Sequence, residues 1–232
     1  MTITPTSLSR AAGVAAVVAG LLFIGVQINH PPMDVGSVTT AEWTIRNTLK
    51  VVMAACALAG ISGMYLSQVR KNGILGLVGY VVFAIGYLLI LSVAFVAGFV
   101  LPGLADIAPA YVNDVLAAAA GGTVTGDIGL LQTMLQVQGL MYLSGGFVFG
   151  IALFRAGVLA RWASALLAVG TLSAVAIPLL PQSMERLFAF PTGIALVGLG
   201  YSLWRTSRAA VTQSTPVPDP VGATTATAAG AE

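Results

Sequence analysis

The sequence predicts an all-α membrane protein, a six-transmembrane-helix bundle with the N-terminus and the C-terminus cytoplasmic. Three observations predict it. The 232 residues are 57% hydrophobic and only 8% charged, against about 25% charged in soluble domains, and mean hydropathy is +0.94. Six apolar segments, about 11–28, 48–69, 74–101, 128–154, 159–180 and 187–204, approach the roughly 20 residues that cross a bilayer core. With the N-terminus inside, the inner ends hold Arg10, Arg70, Lys71, Arg155, Arg161, Arg205 and Arg208, and the outer ends hold only Arg46, Lys50 and Arg186. Cations collect on the cytoplasmic side. All acids before the tail fall outside: Asp34, Glu42, Asp106, Asp114, Asp127 and Glu185.

The first segment follows Arg10 as a signal peptide would, but its apolar run is long and "VQINHPP" offers no small-x-small cleavage site. An uncleaved span is expected. Asn29 and His30 end it, and Pro31 with Pro32 stops the helix because neither has an N–H to donate. Thr39 and Glu42 fit a capping box, so the second long helix should begin near Thr40. On it, Glu42 and Arg46 stand at i, i+4, while Trp43, Asn47 and Lys50 share another face.

Inner turns follow at "YLSQVRKNGILG" and "ALFRAGVLARW", each an aliphatic end, a cation, a Gly and a new aliphatic run. Between them Pro109 predicts a short helix over "AYVNDVLAAAA" that ends at Gly121 and Gly122 and either covers a cavity or only connects two spans. The fourth span opens on Asp127 and places Gln132 and Gln136 on one face, with Gln138 nearby. The transmembrane domain covers residues 1–205; Thr, Pro and Ala fill 206–232, which reads as a disordered cytoplasmic tail.

Helices in lipid approach through small residues. Gly60 and Gly63, Gly73, Gly76 and Gly79, Gly146 and Gly150, and Gly193 and Gly200 supply them. They serve packing within one bundle or the face of a homodimer. Aromatic stripes on the third and fourth spans include Tyr87 and Tyr142 near mid-membrane, where a phenol needs a partner.

A net charge of +2 leaves no basic patch for nucleic acid, and the lone Cys56 and lone His30 leave neither a disulfide framework nor a histidine-rich metal site. No cofactor is expected, and no phosphate-binding, dinucleotide or HExxH motif is present. What remains is a polar layer at the outer ends. Asn29, His30, Asn47, Lys50 and Gln136 should line one water-accessible cavity there.

At "NHPPMDVGSVTTAEW", "LSQVRKNGILGLVGY" and "FRAGVLARWASALLAVG" the chain resembles six-helix actinobacterial membrane proteins. Some of these are integral-membrane terpene cyclases of indole and diketopiperazine sesquiterpenoid pathways. The resemblance implies a multi-pass protein of the bacterial cell membrane and a metal-independent, proton-initiated isomerase that cyclises a prenylated, hydrophobic small molecule. It carries no residue roles. Such chemistry needs an acid kept protonated in a poorly solvated site and aromatic faces for a carbocation. Asp127 and Glu185, then Glu42, are the candidate acids; His30, Trp43, Asn47, Lys50, Gln136, Tyr87 and Tyr142 are candidate substrate contacts. A structural or assembly protein, and a small transporter or lipid-binding protein, stand beside that reading.

Overall fold

The structure, a computed structural model, describes residues 4–173 and 189–213, with side chains as far as residue 208. Among these residues there are helices and turns and no strand. The elements are α1 (Pro5–Gly25), α2 (Val35–Val38), α3 (Ala41–Leu66), α4 (Val69–Phe95), a π-helical turn (Val96–Val100), α5 (Leu101–Leu104), α6 (Pro109–Ala119), α7 (Leu130–Ala156), α8 (Arg161–Ser173) and α9 (Ala189–Gln213). Four stretches are long and apolar enough to cross a membrane: Pro5–Gly25, Ala41–Leu66, Val69–Leu104 and Leu130–Ala156. The protein is thus an all-helical protein with membrane-length helices. Leu21, Leu88 and Val169, among others, point outwards from the bundle, as a lipid-facing surface requires.

Each long helix lies against the next one in the chain, and α9 returns to α1, which closes a ring: α1, α3, α4, α7, α8, α9. Neighbours run antiparallel. Ala16 meets Gly60 and Ala12 meets Gly63 across α1 and α3; Gly79 meets Phe149 and Gly86 meets Tyr142 across α4 and α7; Gly13 meets Gly200 and Gly20 meets Gly193 across α1 and α9. The pair Gly146 and Gly150 lies against Thr171 and Ala168 of α8, so these small residues serve packing inside the chain. Fully buried Ile61, Phe83, Phe149, Leu167 and Leu199 fill the ring.

Local chemistry sets the helix ends. Thr4 and Ser7 form a reciprocal capping box around Pro5 at the first position of α1. At Gly73 the backbone has φ +57° and ψ −160°, a conformation open to glycine and costly for other residues, and α4 kinks there. The helix over Pro109–Ala119 forms as the proline predicts, and Gly121 follows it with φ +73°.

Several expectations change. The second long helix starts where the sequence suggests, but Thr40 caps it by accepting from the Trp43 N–H, and the Thr39 hydroxyl donates to the Gly36 carbonyl. The Thr39–Glu42 box does not form, because Glu42 turns to Arg46 instead. α9 remains helical to Gln213, beyond the boundary placed at 206, and the rest of the tail lies outside the described residues.

Candidate functional site

The site sits at the end of the bundle where α1 and α4 finish and α3 and α7 begin. Arg46 organises this end. Its guanidinium pairs with Glu42 at 2.8 Å and donates to the carbonyls of Val26 (3.2 Å), Ile28 (2.8 Å) and Asn29 (2.9 Å). These carbonyls belong to the C-terminal end of α1, where the last groups lack intrahelical donors. Arg46 therefore caps one helix from the side of another, and Asn29 turns the chain with φ +51°.

The turn delivers His30 onto α3. Its Nδ1 lies 2.8 Å from the Pro31 carbonyl, and Nε2 lies 3.0 Å from Lys50 Nζ. A carbonyl only accepts, so Nδ1 carries the proton and Nε2 accepts from the Lys50 ammonium. The imidazole also meets the Trp43 ring edge-on, 6.0 Å between centroids.

Trp43 is 2% exposed, and its indole N–H donates to the Ala97 carbonyl at 2.8 Å. The π-helical turn explains why that carbonyl is available. Leu101 N–H bonds to Val96, one residue further back than in an α-helix. The π-pattern partner of Ala97 would be residue 102, which is proline and has no N–H. The indole supplies the donor that Pro102 cannot.

Beneath Trp43 lies a chamber of about 220 Å³. Trp43, Asn47 and Lys50 of α3 form one wall; Ile90 and Ala94 of α4, with Ala97 of the π turn, form the second. Leu131, Leu135 and Gln138 of α7 form the third, and Val115, Leu116 and Ala119 of α6 lie across it. α6 thus covers a cavity. Met33 and Ala119 are also solvent-exposed, which places the mouth at their edge. Asn47 is buried and its amide N–H donates to the Trp43 carbonyl at 2.9 Å. The buried Oε1 of Gln138 has no hydrogen-bond partner among the described residues, so a donor on a guest would satisfy it.

Asp114 ties α6 down. Its carboxylate accepts from Thr125 N–H (2.9 Å), Thr125 Oγ1 (2.9 Å) and Gly126 N–H (3.0 Å). The bonds from Thr125, backbone first and then hydroxyl, outweigh partial desolvation and hold this carboxyl below the ordinary value of 3.8. The folded state therefore binds the proton less readily than the unfolded one. The contribution is complete above the ordinary carboxyl range and is lost as pH falls from there through the lowered folded value. Melting curves of the purified protein in detergent should show the wild type losing stability below about pH 4 more steeply than Asp114→Asn; parallel curves would refute the latch.

The predicted site residues divide. The structure brings together His30, Trp43, Asn47 and Lys50. It sends Gln136 outwards: Gln132 and Gln136 do share a face, but that face is exposed, and Gln138, two positions or about 200° further round, faces the chamber. Gln136, expected in the cavity, does not line the chamber, and Gln138 does. Asn29 and His30, both expected in the cavity, do not line the chamber: Asn29 contributes a backbone carbonyl to Arg46, and His30 reaches the site only through Lys50 and Trp43.

Tyr87 and Tyr142 belong to the ring core, stacked edge-on at 5.8 Å against each other and packed around Phe83, and neither borders the chamber. Among the candidate acids, Asp127 is exposed and accepts from Gly129 N–H at 2.7 Å. Glu42 is exposed and paired with Arg46. Both are corrected as buried acids, because both side chains are solvent-exposed. Glu185 lies outside the described residues. Among the described residues no three of His, Cys, Asp and Glu gather as a metal site would require.

Comparison of the chain with protein-family models, curated proteins and solved structures returns no match.

Proposed function

We propose that the protein is a six-span protein of the bacterial cell membrane, with both termini cytoplasmic, that holds a lipophilic small molecule in the chamber under α6. One observation carries the binding reading: an apolar recess closed by a separate helix and edged by Lys50, Asn47 and an unsatisfied Gln138 carbonyl. Ligand sites are concave, mostly apolar and fitted with a few convergent polar groups. Size limits the guest. An engineered cavity of about 150 Å³ takes benzene, so a chamber of about 220 Å³ suits a body of roughly ten carbons. A terminal pair of isoprene units fits that description, with any longer portion leaving by the mouth.

The span count rests on the closed antiparallel ring. α8 and α9 complete it, though over its described residues neither is long and apolar enough to cross a membrane. The orientation rests on the seven cations at one end. A periplasm-dependent phosphatase fused after Arg208 should be inactive; an active fusion would refute it.

Cyclisation of a prenylated guest is a second reading, supported by the Trp43 ring at the chamber wall and by the resemblance of the sequence. Its acid is not among the described carboxylates: Asp114 is held ionised and Glu42 and Asp127 face water. The reading therefore stands on Glu185. Binding is the conclusion that stands without it.

A prenyl probe with a diazirine on its terminal isoprene tests the binding. Light should attach it to peptides of α3, α6 or α7, and Ala119→Trp, which fills the mouth from an exposed position, should cut labelling several-fold. Equal labelling of both proteins, or labelling confined to the outer lipid-facing surface, would overturn the proposal.

A further inference from the structure

The chamber under α6 has a polar end and an apolar one. α3 and α7 run into the bundle from their first residues and α4 runs out to the π turn, so depth can be counted along each wall. From Trp43 to Lys50, from Leu131 to Gln138 and from Ala97 back to Ile90 the walls descend seven positions, about 10 Å at a rise of roughly 1.5 Å per residue. Gln138 and Lys50 therefore stand at the floor. Met33 and Ala119 stand at the mouth. The buried Asn47 amide already donates to the Trp43 carbonyl, whereas the buried Oε1 of Gln138 accepts from none of the described residues. That oxygen lacks a donor, and it lies at the end of the chamber farthest from the mouth.

The missing donor selects the guest. A carbonyl oxygen in an apolar recess is satisfied by an O–H or N–H group. A phosphate monoester or carboxylate has little or no proton to offer at neutral pH, and an ammonium must shed its water to enter. A neutral hydroxyl avoids both costs, and it adds a single heavy atom to a body that the chamber limits to roughly ten carbons. Given that the chamber binds a lipophilic small molecule, we propose that this guest is a neutral alcohol of about ten carbons that enters hydroxyl first. Its O–H is donated to Gln138 Oε1, and its hydrocarbon end is left toward Met33 and Ala119. Gln138 then sets the specificity of the chamber, by recognising the functional group, while the apolar walls recognise only size.

The test uses the full-length protein in detergent and the diazirine prenyl probe, displaced by geraniol or by geranyl methyl ether. The two share a carbon skeleton, but the alcohol donates and accepts, and the ether only accepts. Concentrations are counted per mole of detergent, so that unequal partition from water does not enter. Geraniol should halve the labelling of α3, α6 and α7 peptides at about a tenth of the ether concentration, the order of one hydrogen bond made to an otherwise unsatisfied group. Gln138→Leu removes the acceptor and keeps an apolar bulk, so it should weaken geraniol alone and close the gap. Gln136→Leu, at an exposed position of the same helix, should leave the gap as it is. Equal displacement by the two compounds from the wild type, stronger displacement by the ether, or a gap that survives Gln138→Leu would overturn the alcohol and leave the chamber a binding site. No labelling of the chamber peptides would overturn both. The wild-type comparison needs no substitution and decides the matter even if Gln138→Leu fails to fold.

Discussion

Replacing Gly200 by valine should lower the stability of the protein sharply. A Cβ at this position would lie 2.5 Å from the Gly13 carbonyl oxygen, 2.8 Å from the Val17 nitrogen and 2.9 Å from the Ala16 Cβ. Two of these atoms are backbone and the third is fixed to it, so no side chain can rotate aside. The helices must part, and α9 loses its fit along α1. Overpacking costs about 1–3 kcal/mol when side chains can adjust; here the cost should reach or pass the top of that range, against a total stability of about 5–15 kcal/mol. Gly20→Val should behave alike, since its Cβ would meet the Gly193 carbonyl. Gly139→Ala is the control, with nothing within 4 Å. The measurement is the yield of monodisperse protein and its melting midpoint in detergent. A Gly200→Val protein that melts with the wild type would show that the seam is not as close as described.

The second large effect is at Trp43. In Trp43→Phe the aromatic bulk remains but the Ala97 carbonyl loses its donor, and an unsatisfied buried acceptor costs about 1–3 kcal/mol. The chamber wall shifts as well, so prenyl-probe labelling should fall with stability. Trp162→Phe, at an exposed ring with no hydrogen bond, should change neither. The cause can be isolated. Pro102→Ala restores an N–H that the π turn can direct to Ala97, so the double variant Trp43→Phe, Pro102→Ala should recover part of the loss. If Trp43→Phe costs no more than Trp162→Phe, or if Pro102→Ala recovers nothing, the indole is packing alone.

Both effects bear on what the sequence discloses. Hydropathy and glycine density disclose helices that need close neighbours, and Pro109 and Gly121 bracket α6 correctly because their backbone requirements are local. The polar residues of α3 could be grouped by period, and Trp43, Asn47 and Lys50 do share the chamber wall. The rotation of α7 could not be read in this way. Gln132 and Gln136 make a plausible polar face by spacing, yet which side of a helix meets its neighbours depends on Gly79, Gly86 and Gly145 packing α4 against α7. That choice is made between helices, and no single helix encodes it.

Arg46 and Asp114 were legible as charges and not as caps or latches, because most of their partners are backbone groups carrying no side-chain signature: the carbonyls of Val26, Ile28 and Asn29 for one, the N–H groups of Thr125 and Gly126 for the other. The π turn had a signal, a proline near the end of an apolar run. Its consequence, an unfilled carbonyl five residues earlier, becomes visible only with Trp43 in place. Tyr87 and Tyr142 lie away from the chamber for a related reason: depth in the membrane can be estimated from sequence, but inward and chamber-facing are different directions.

The closed ring also has a bearing on biogenesis. α1 is made well before the surface that fits Gly13 and Gly20 most closely, which comes later in the chain, on α9. Until then α1 has α3 along one side and an uncovered strip of small residues along the other. Such strips are what membrane helices associate through. A chain that stops before Ala189 therefore offers a sticky edge to other chains, and completion of α9 removes it. The seam acts as a marker that synthesis has passed α9: only a chain that includes this helix conceals it.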